Sequence, residues 1–364
     1  MWTLTILLVA CSSEIIWAQS SPPCILEGGG LGGCVETEQC DPNTNTIIED
    51  GSNIINARND GDVIKCPQPQ VCCAYMRSEM RSAATEEDLC TNSSTCCGVQ
   101  RRVDIPGYVK QRTNEADPGE FPWVVDLMMR SIDKVYQYAG TGSLIHTRVV
   151  LTAAHIVYGK DTNLLLVITG DHDQEKAVMK KKGKVVTEVV IHPQFNRGNG
   201  DYNYALAFLR KSALADGLPH VGTVCLPPAG YVPTAGTRCI FSGWGVDSNL
   251  INQQQLVKTD VPMMAHGACE QRLQQDPSLG PGFRLLDSLT CAGGEVGRDI
   301  CGGGGGSPLA CPMEDYPERY VQIGIVTWVT SGCGINGSPT VFADVSKVRS
   351  WIDQQLANRS FYIN

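Results

Sequence analysis

At 364 residues, with 42% apolar and 18% charged side chains, the chain has material for two packed domains and is neither disordered nor fibrous. Its formal net charge of −9 argues against nucleic acid as a partner, because phosphate binding needs a basic face. Seventeen cysteines set the compartment as an oxidising one, since Cys11 falls in a leader and the other sixteen form an even set of eight expected bridges.

Residues 1–18 read as a signal peptide. The apolar run through Leu4, Ile6, Leu7, Leu8 and Val9 is interrupted at Ser12 to Glu14 and is too short to span a bilayer. No later stretch is long and apolar enough to do so, so a soluble, secreted mature protein without a membrane span is expected.

Residues 24–73 carry Cys24, Cys34, Cys40, Cys66, Cys72 and Cys73 at intervals of nine, five, twenty-five, five and zero residues. So small a segment has too little apolar material to hold itself by burial, and bridges must supply the rest. Eight carboxylates face only Arg58 and Lys65 between Cys24 and Cys73, which reads as a solvated acidic surface. The spacing and the terminal doublet after Pro67 and Pro69 resemble the clip domain of arthropod extracellular proteases. That resemblance implies Cys24 with Cys72, Cys34 with Cys66 and Cys40 with Cys73, a choice that spacing alone leaves open.

Residues 74–118 are rich in Ser, Thr, Asn, Glu and Arg and read as a linker, interrupted by Cys90, Cys96 and Cys97. From Phe121 onward, short apolar runs recur between turns: Trp123–Met128, Gly142–Leu151, Leu164–Ile168, Val185–Ile191, Ala205–Leu209 and Tyr320–Trp328. Many short strands at this spacing predict an all-β barrel or sandwich. Val345, Val348, Ile352 and Leu356, beside Trp351, predict a closing amphipathic helix. The lysine run Lys180, Lys181, Lys182 and Lys184 reads as an exposed loop. Asp171, Asp173 and Glu175 read as a solvated turn rather than a calcium site, and no metal site is expected.

Six segments in order resemble the chymotrypsin-like serine proteases: Gly119–Trp123, Gly142–Ile145, Leu151–His155, Ser242–Gly245, Cys301–Cys311 and Ile325–Trp328. The resemblance covers a domain at 119–357, with a tail at 358–364, and implies two six-stranded antiparallel β-barrels with a cleft between them. It implies no cofactor. It also implies Cys239 with Cys311, Cys269 with Cys291, Cys301 with Cys333, and Cys225 tethering the linker through Cys97, which leaves Cys90 with Cys96. The bridge that normally flanks the catalytic histidine is missing at both ends, where Gly140 and Ile156 stand.

Acyl transfer in this family needs a hydroxyl nucleophile, an imidazole base and a carboxylate that fixes the imidazole tautomer. His155 occupies the imidazole position, but Asn203 replaces the carboxylate, a change that alone lowers turnover by about four orders of magnitude. Asp201 lies two residues earlier, a strand displacement of about 6 to 7 Å, and is too far to substitute. Gly305 replaces the serine, which removes the covalent route at a cost on the order of 10⁶-fold. Ser307, two residues on, is expected to miss both the imidazole and the oxyanion donors. Gly303 and Gly304 hold the oxyanion and activation positions, and Gly304 replaces the aspartate that would receive a freed amino terminus. Lys110–Thr113 replaces the segment that would supply that terminus, so a cut near Arg101, Arg102, Lys110 or Arg112 would not build the site by the usual route. The glycine run 302–306 is expected to be mobile. Asp299 marks the base of a trypsin-like specificity pocket, which Val329 and Thr340 are expected to narrow or fill.

The expectation is a secreted, non-catalytic clip-domain protease homologue. Such proteins act in insect haemolymph cascades, in prophenoloxidase activation or Toll signalling, with extracellular proteases, prophenoloxidase or microbial surfaces as partners. The alternatives are an active enzyme using Ser307 with His155, and a decoy that binds basic substrates through Asp299. Sequons stand at Asn92, Asn336 and Asn358.

Overall fold

The computed structural model describes residues 23–25, 31–35, 71–74, 97–103, 110, 114–131, 133, 135–174, 183–245, 254–296, 304–329 and 337–361. The chain divides into two compact units, Met1–Ser93 and Ser94–Asn364. In the first, β1 (Pro23–Ile25), β2 (Leu31–Val35) and β3 (Val71–Ala74) form an antiparallel sheet in that order.

The second unit contains two closed barrels. One comprises β4 (Val124–Arg130), β5 (Tyr136–His146), β6 (Val149–Thr152), β7 (Leu165–Thr169), β8 (Lys184–Ile191) and β9 (Ala205–Leu209), ordered β4-β5-β6-β9-β8-β7. The other comprises β10 (Arg238–Gly243), β11 (Val257–Met264), β12 (Leu289–Gly293), β13 (Pro308–Pro312), β14 (Tyr320–Trp328) and β15 (Pro339–Asp344), ordered β10-β11-β12-β15-β14-β13. Among the described residues these strands pair antiparallel throughout, as the resemblance to the chymotrypsin-like proteases implies. Among the described residues the α-helices are α1 (Ala154–Val157), α2 (His266–Leu273) and α3 (Arg349–Ala357).

Ala205–Leu209 is buried along its whole length, because the strand packs on both faces, which explains an unbroken apolar run in an antiparallel sheet. The predicted closing helix begins later than expected. Asp344 accepts hydrogen bonds from the Ser346 amide and hydroxyl at 2.9 and 2.7 Å, which tightens Val345–Val348 into a 3₁₀ turn before α3 begins. Val345, Val348, Ile352 and Leu356 nevertheless all reach the core.

The last part of the segment expected to be a linker belongs to the barrel unit. Cys97 is bridged to Cys225, and the Gly98 and Arg101 amides bond the Thr223 and Gly119 carbonyls at 2.7 and 2.9 Å. Glu120, only 2% exposed, gathers the Arg102 guanidinium at 2.8 Å, the Lys258 ammonium at 2.5 Å and the Asp117 amide at 2.8 Å. Burial works against its ionisation, but the Lys258 hydrogen bond, the Asp117 amide and Arg102 together hold the carboxyl below its usual range. Lys184 also departs from the expected exposed loop: its side chain is buried on β8 and paired with Asp216 at 2.8 Å. Lys180, Lys181, Lys182 and Glu175 lie outside the described residues.

Two further bridges join Cys239 to Cys311 and Cys269 to Cys291. The pairings expected for the six clip cysteines, for Cys90 with Cys96 and for Cys301 with Cys333 lie outside the described residues, as do the leader and the sequons at Asn92 and Asn336. Among the described residues no helix is long and apolar enough to cross a membrane.

Candidate functional site

The site is assembled from the turn after β6, the approach to β9, and the turn before β13. β6 delivers Thr152 and Ala153, and the single turn of α1 that follows carries His155. Tyr202 lies at φ 46°, in the left-handed region that a bulky residue rarely enters, and this reversal turns Asn203 toward α1. The conformation is held on its far side, where the Tyr204 hydroxyl lies 2.8 and 2.7 Å from the Ser288 and Asp344 carbonyls, and the Tyr202 ring stacks on His192 at 4.7 Å.

Asn203 is 1% exposed and meets His155 twice. Its Oδ1 accepts the His155 main-chain amide at 2.9 Å, and its Nδ2 faces the His155 Nδ1 at 2.8 Å. A main-chain N–H can only donate, so the amide oxygen belongs there and the NH₂ group must donate to Nδ1. Nδ1 is then the acceptor, and the ring proton sits on Nε2. A carboxylate would accept at both places and leave Nε2 free to take a proton. The asparagine inverts that tautomer. Burial lowers the His155 pKa below 6.5, and the nearby Lys160 charge acts in the same direction.

A side chain at Gly305 would press on His155 and Ile156. A β-carbon there would lie 2.9 Å from His155 Nε2 and 3.0 Å from Ile156 Cδ1. Ile156 fills a second vacancy as well: a β-carbon on Gly140 would lie 2.7 Å from Ile156 Cδ1 and 2.8 Å from its Cγ2, so the isoleucine occupies the space of the missing bridge. Contrary to the mobility expected of the glycine run, its last three residues are held in place. The Thr141 amide bonds the Gly305 carbonyl at 3.0 Å, the Gly306 amide bonds Val326 at 3.1 Å, and the Ser307 amide bonds Gly304 at 2.9 Å. Gly306, at φ 84°, is required by close approach, since a β-carbon would collide with the Thr141 carbonyl.

At the activation position, a β-carbon on Gly304 would lie 3.0 Å from the Phe241 ring and 3.5 Å from Ser307 Oγ. Ser307 is 0% exposed and packs over Gly243, its hydroxyl turned into the second barrel. Asp201, the other stand-in, accepts a hydrogen bond from the Ser288 hydroxyl. Lys110, which begins the segment aligned with an activating terminus, pairs with Asp117 at 2.7 Å on the surface. Thr340 is fully buried on β15 opposite Ala292, and Val329 is half-buried just after β14. Asp299, Gly303, Cys301 and Cys333 lie outside the described residues. Among the described residues no cluster of His, Cys, Asp and Glu is arranged to hold a metal ion.

A cavity of about 580 Å³ opens beside His155 and Asn203. Phe195, Leu279, Phe283, Leu286 and Trp328 line it, with Arg197 and Arg284 at its exposed edge, and neither Val329 nor Thr340 takes part. Of these residues only Trp328 belongs to a segment that sequence reasoning singles out. The others lie in turns whose convergence no local pattern encodes, and Ile156 is legible only as an absent cysteine.

The profile of the Trypsin family matches residues 110–352, and that of the serine protease clip domain of the PPAF-2 type matches residues 22–74. The chain is 42% identical over 264 residues to phenoloxidase-activating factor 2 of Galleria mellonella, covering 69% of this chain and 85% of that one. It is 33% identical over 319 residues to inactive CLIP domain-containing serine protease A8 of Anopheles gambiae, covering 84% and 85%. It is 30% identical over 246 residues to human chymotrypsin-like elastase family member 1, covering 67% and 91%.

Proposed function

Given that the chain belongs to the trypsin family and carries a clip domain, we propose that it is a secreted, catalytically inert homologue that regulates an extracellular protease cascade through binding. The observation that supports this reading most is Gly305: the nucleophile's oxygen is gone, and His155 Nε2 and Ile156 Cδ1 crowd to within 2.9 and 3.0 Å of where a β-carbon would be. The inverted tautomer imposed by Asn203 supports it independently, because an Nε2–H imidazole has no lone pair there to accept a proton from any nucleophile. The rival nucleophile, Ser307, is buried against Gly243 and out of reach of a substrate in the cleft.

The partner cascade is the insect activation of prophenoloxidase, a reading supported by resemblance to phenoloxidase-activating factor 2 and to clip-domain proteases described as inactive. The chain contributes surfaces, and a partner protease contributes the chemistry. The experiment is prophenoloxidase activation by its activating protease in a purified mix, with and without this protein, cut and uncut in the segment before the barrels. A change in phenoloxidase activity that depends on the protein is expected. No change with either form would remove this cascade from the reading.

A further inference from the structure

The Cys97–Cys225 bridge sits in a different setting from the other two described bridges. Cys239 and Cys311 are 0% and 2% exposed, and Cys269 and Cys291 are both 0% exposed, so a thiol reaches their sulfurs only if the second barrel opens. Cys225 is buried as well, but Cys97 is half-buried on the segment that runs outside the strands. An attacking thiol therefore has an approach to this bridge from the Cys97 side while the barrels stay closed.

Arg319 lies against both sulfurs. It stands at the base of the turn between β13 and β14, where its carbonyl accepts the Met313 amide at 2.9 Å. Its Nη2 is 3.5 Å from Cys97 Sγ and 3.7 Å from Cys225 Sγ, and its Nε donates to the Cys97 carbonyl at 3.2 Å. The sulfurs of a closed bridge are neutral and accept hydrogen bonds weakly, whereas a thiolate carries a full charge and accepts strongly. The guanidinium thus stabilises the open bridge more than the closed one, and it makes either sulfur a better leaving group.

We propose that Cys97–Cys225 is a site of thiol–disulfide exchange, opened by an external dithiol, with Arg319 as the positioning residue that takes up the leaving charge. One thiolate of the dithiol attacks Cys97 Sγ. The new sulfur–sulfur bond forms as the Cys97–Cys225 bond breaks, and Cys225 leaves with the electron pair as a thiolate beside Arg319. The dithiol's second thiol then gives up its proton and attacks the mixed disulfide, and Cys97 leaves in turn. The bridge is reduced by two electrons to two thiols, which take up the two protons, and the dithiol is oxidised to its own disulfide. Among the described bridges only this one joins residues before Arg101 to the barrels, so in a chain cut after Arg101 or Arg102 its opening removes that covalent link. In the uncut chain the opening is reversible. The Gly98 amide on the Thr223 carbonyl at 2.7 Å and the Tyr320 amide on the Gly98 carbonyl at 2.9 Å keep the two cysteines side by side. This site is separate from His155 and Gly305 and goes beyond the reading above.

The test exposes the native full chain to dithiothreitol for timed intervals at pH 7.5, blocks free thiols with N-ethylmaleimide and reads each bridge by peptide mass spectrometry. Cys97 and Cys225 are expected to be labelled at least about tenfold faster than the cysteines of the two buried bridges. Arg319→Gln, which can still bond the Cys97 carbonyl but carries no charge, is expected to slow that labelling about threefold or more and to leave the other two bridges unchanged. Arg319→Lys, which keeps a charge, is expected to stay nearer the unaltered rate. The buried bridges report on folding, because a variant that unfolds opens all three together, and the unaltered chain and Arg319→Lys then decide. Opening of Cys97–Cys225 no faster than the buried bridges overturns the exchange site. A glutamine variant as fast as the unaltered chain, or a folded lysine variant as slow as the glutamine one, overturns the role of Arg319.

Discussion

Asn203 donates to His155 Nδ1 at 2.8 Å while its carbonyl oxygen holds the His155 main-chain amide at 2.9 Å, so one side chain sets both the place and the tautomer of the imidazole. The ring proton therefore faces Gly305. Nitrogen NMR of the labelled protein near pH 7.5 is expected to show the Nε2–H form at His155. Asn203→Asp is expected to shift the proton to Nδ1 and raise the pKa, because a carboxylate accepts where the amide donates and favours the charged ring. An Nδ1–H signal in the unmodified chain would contradict the geometry.

Ile156 lies against both Gly140 and Gly305, filling at once the space of a missing bridge and the edge of a missing nucleophile. Ile156→Ala is expected to cost about 2 to 4 kcal/mol, the range for deleting a buried branched side chain whose surroundings cannot close. Urea unfolding followed by tryptophan fluorescence measures this. A cost below about 0.5 kcal/mol, the usual limit for surface changes, would mean that Ile156 is not a structural plug.

The barrels were legible because short apolar runs recur between turns: Val185–Ile191, Ala205–Leu209 and Tyr320–Trp328 lie wholly on strands, Trp123–Met128 and Leu164–Ile168 begin one residue before theirs, and Gly142–Leu151 crosses the turn between β5 and β6. The replaced triad positions were legible by alignment of motifs, and the structure adds why they act together: Asn203 and Gly305 approach the same ring from opposite sides. The order in the glycine run was not legible, because Thr141 and Val326, which anchor it, are far away in the chain. The Cys97–Cys225 tether was legible from the resemblance, but the packing of residues 98–103 was not, because it depends on Glu120 being buried beneath Arg102 and Lys258, a contact that polar composition alone reads as linker.

That buried carboxylate leads to a third prediction. Glu120→Ala leaves Arg102, Lys258 and the Asp117 amide without their shared acceptor and is expected to destabilise the chain by about 1 to 3 kcal/mol, since Arg102 and Lys258 are 55% and 28% exposed and take up water. Limited trypsin digestion is expected to cut at Arg101 and Arg102 several-fold faster in the variant, because the local opening that exposes them becomes easier. Unchanged cutting would show that Glu120 does not hold this segment.

Acidification is expected to lower stability. Burial, first among the causes in each case, depresses the pKa of His146, His155 and His192 below 6.5. The folded chain thus binds fewer protons than the unfolded chain near pH 6, and stability that is complete above 6.5 is lost as pH falls through the folded values. Glu120, held below 4.5, acts in the same direction at lower pH. Melting temperatures between pH 7.5 and 4.5 are expected to be level at first and then to fall. A rise on acidification would contradict the assignment.

Incubating the purified full chain with a fluorophosphonate probe, beside active trypsin at the same concentration, and weighing both intact chains by mass spectrometry tests the loss of chemistry most directly. With Gly305 in the nucleophile's place and Ser307 buried against Gly243, trypsin is expected to gain one adduct and this chain none. An adduct on any serine of this chain, abolished by His155→Ala, would show that an activated nucleophile exists and would contradict the account.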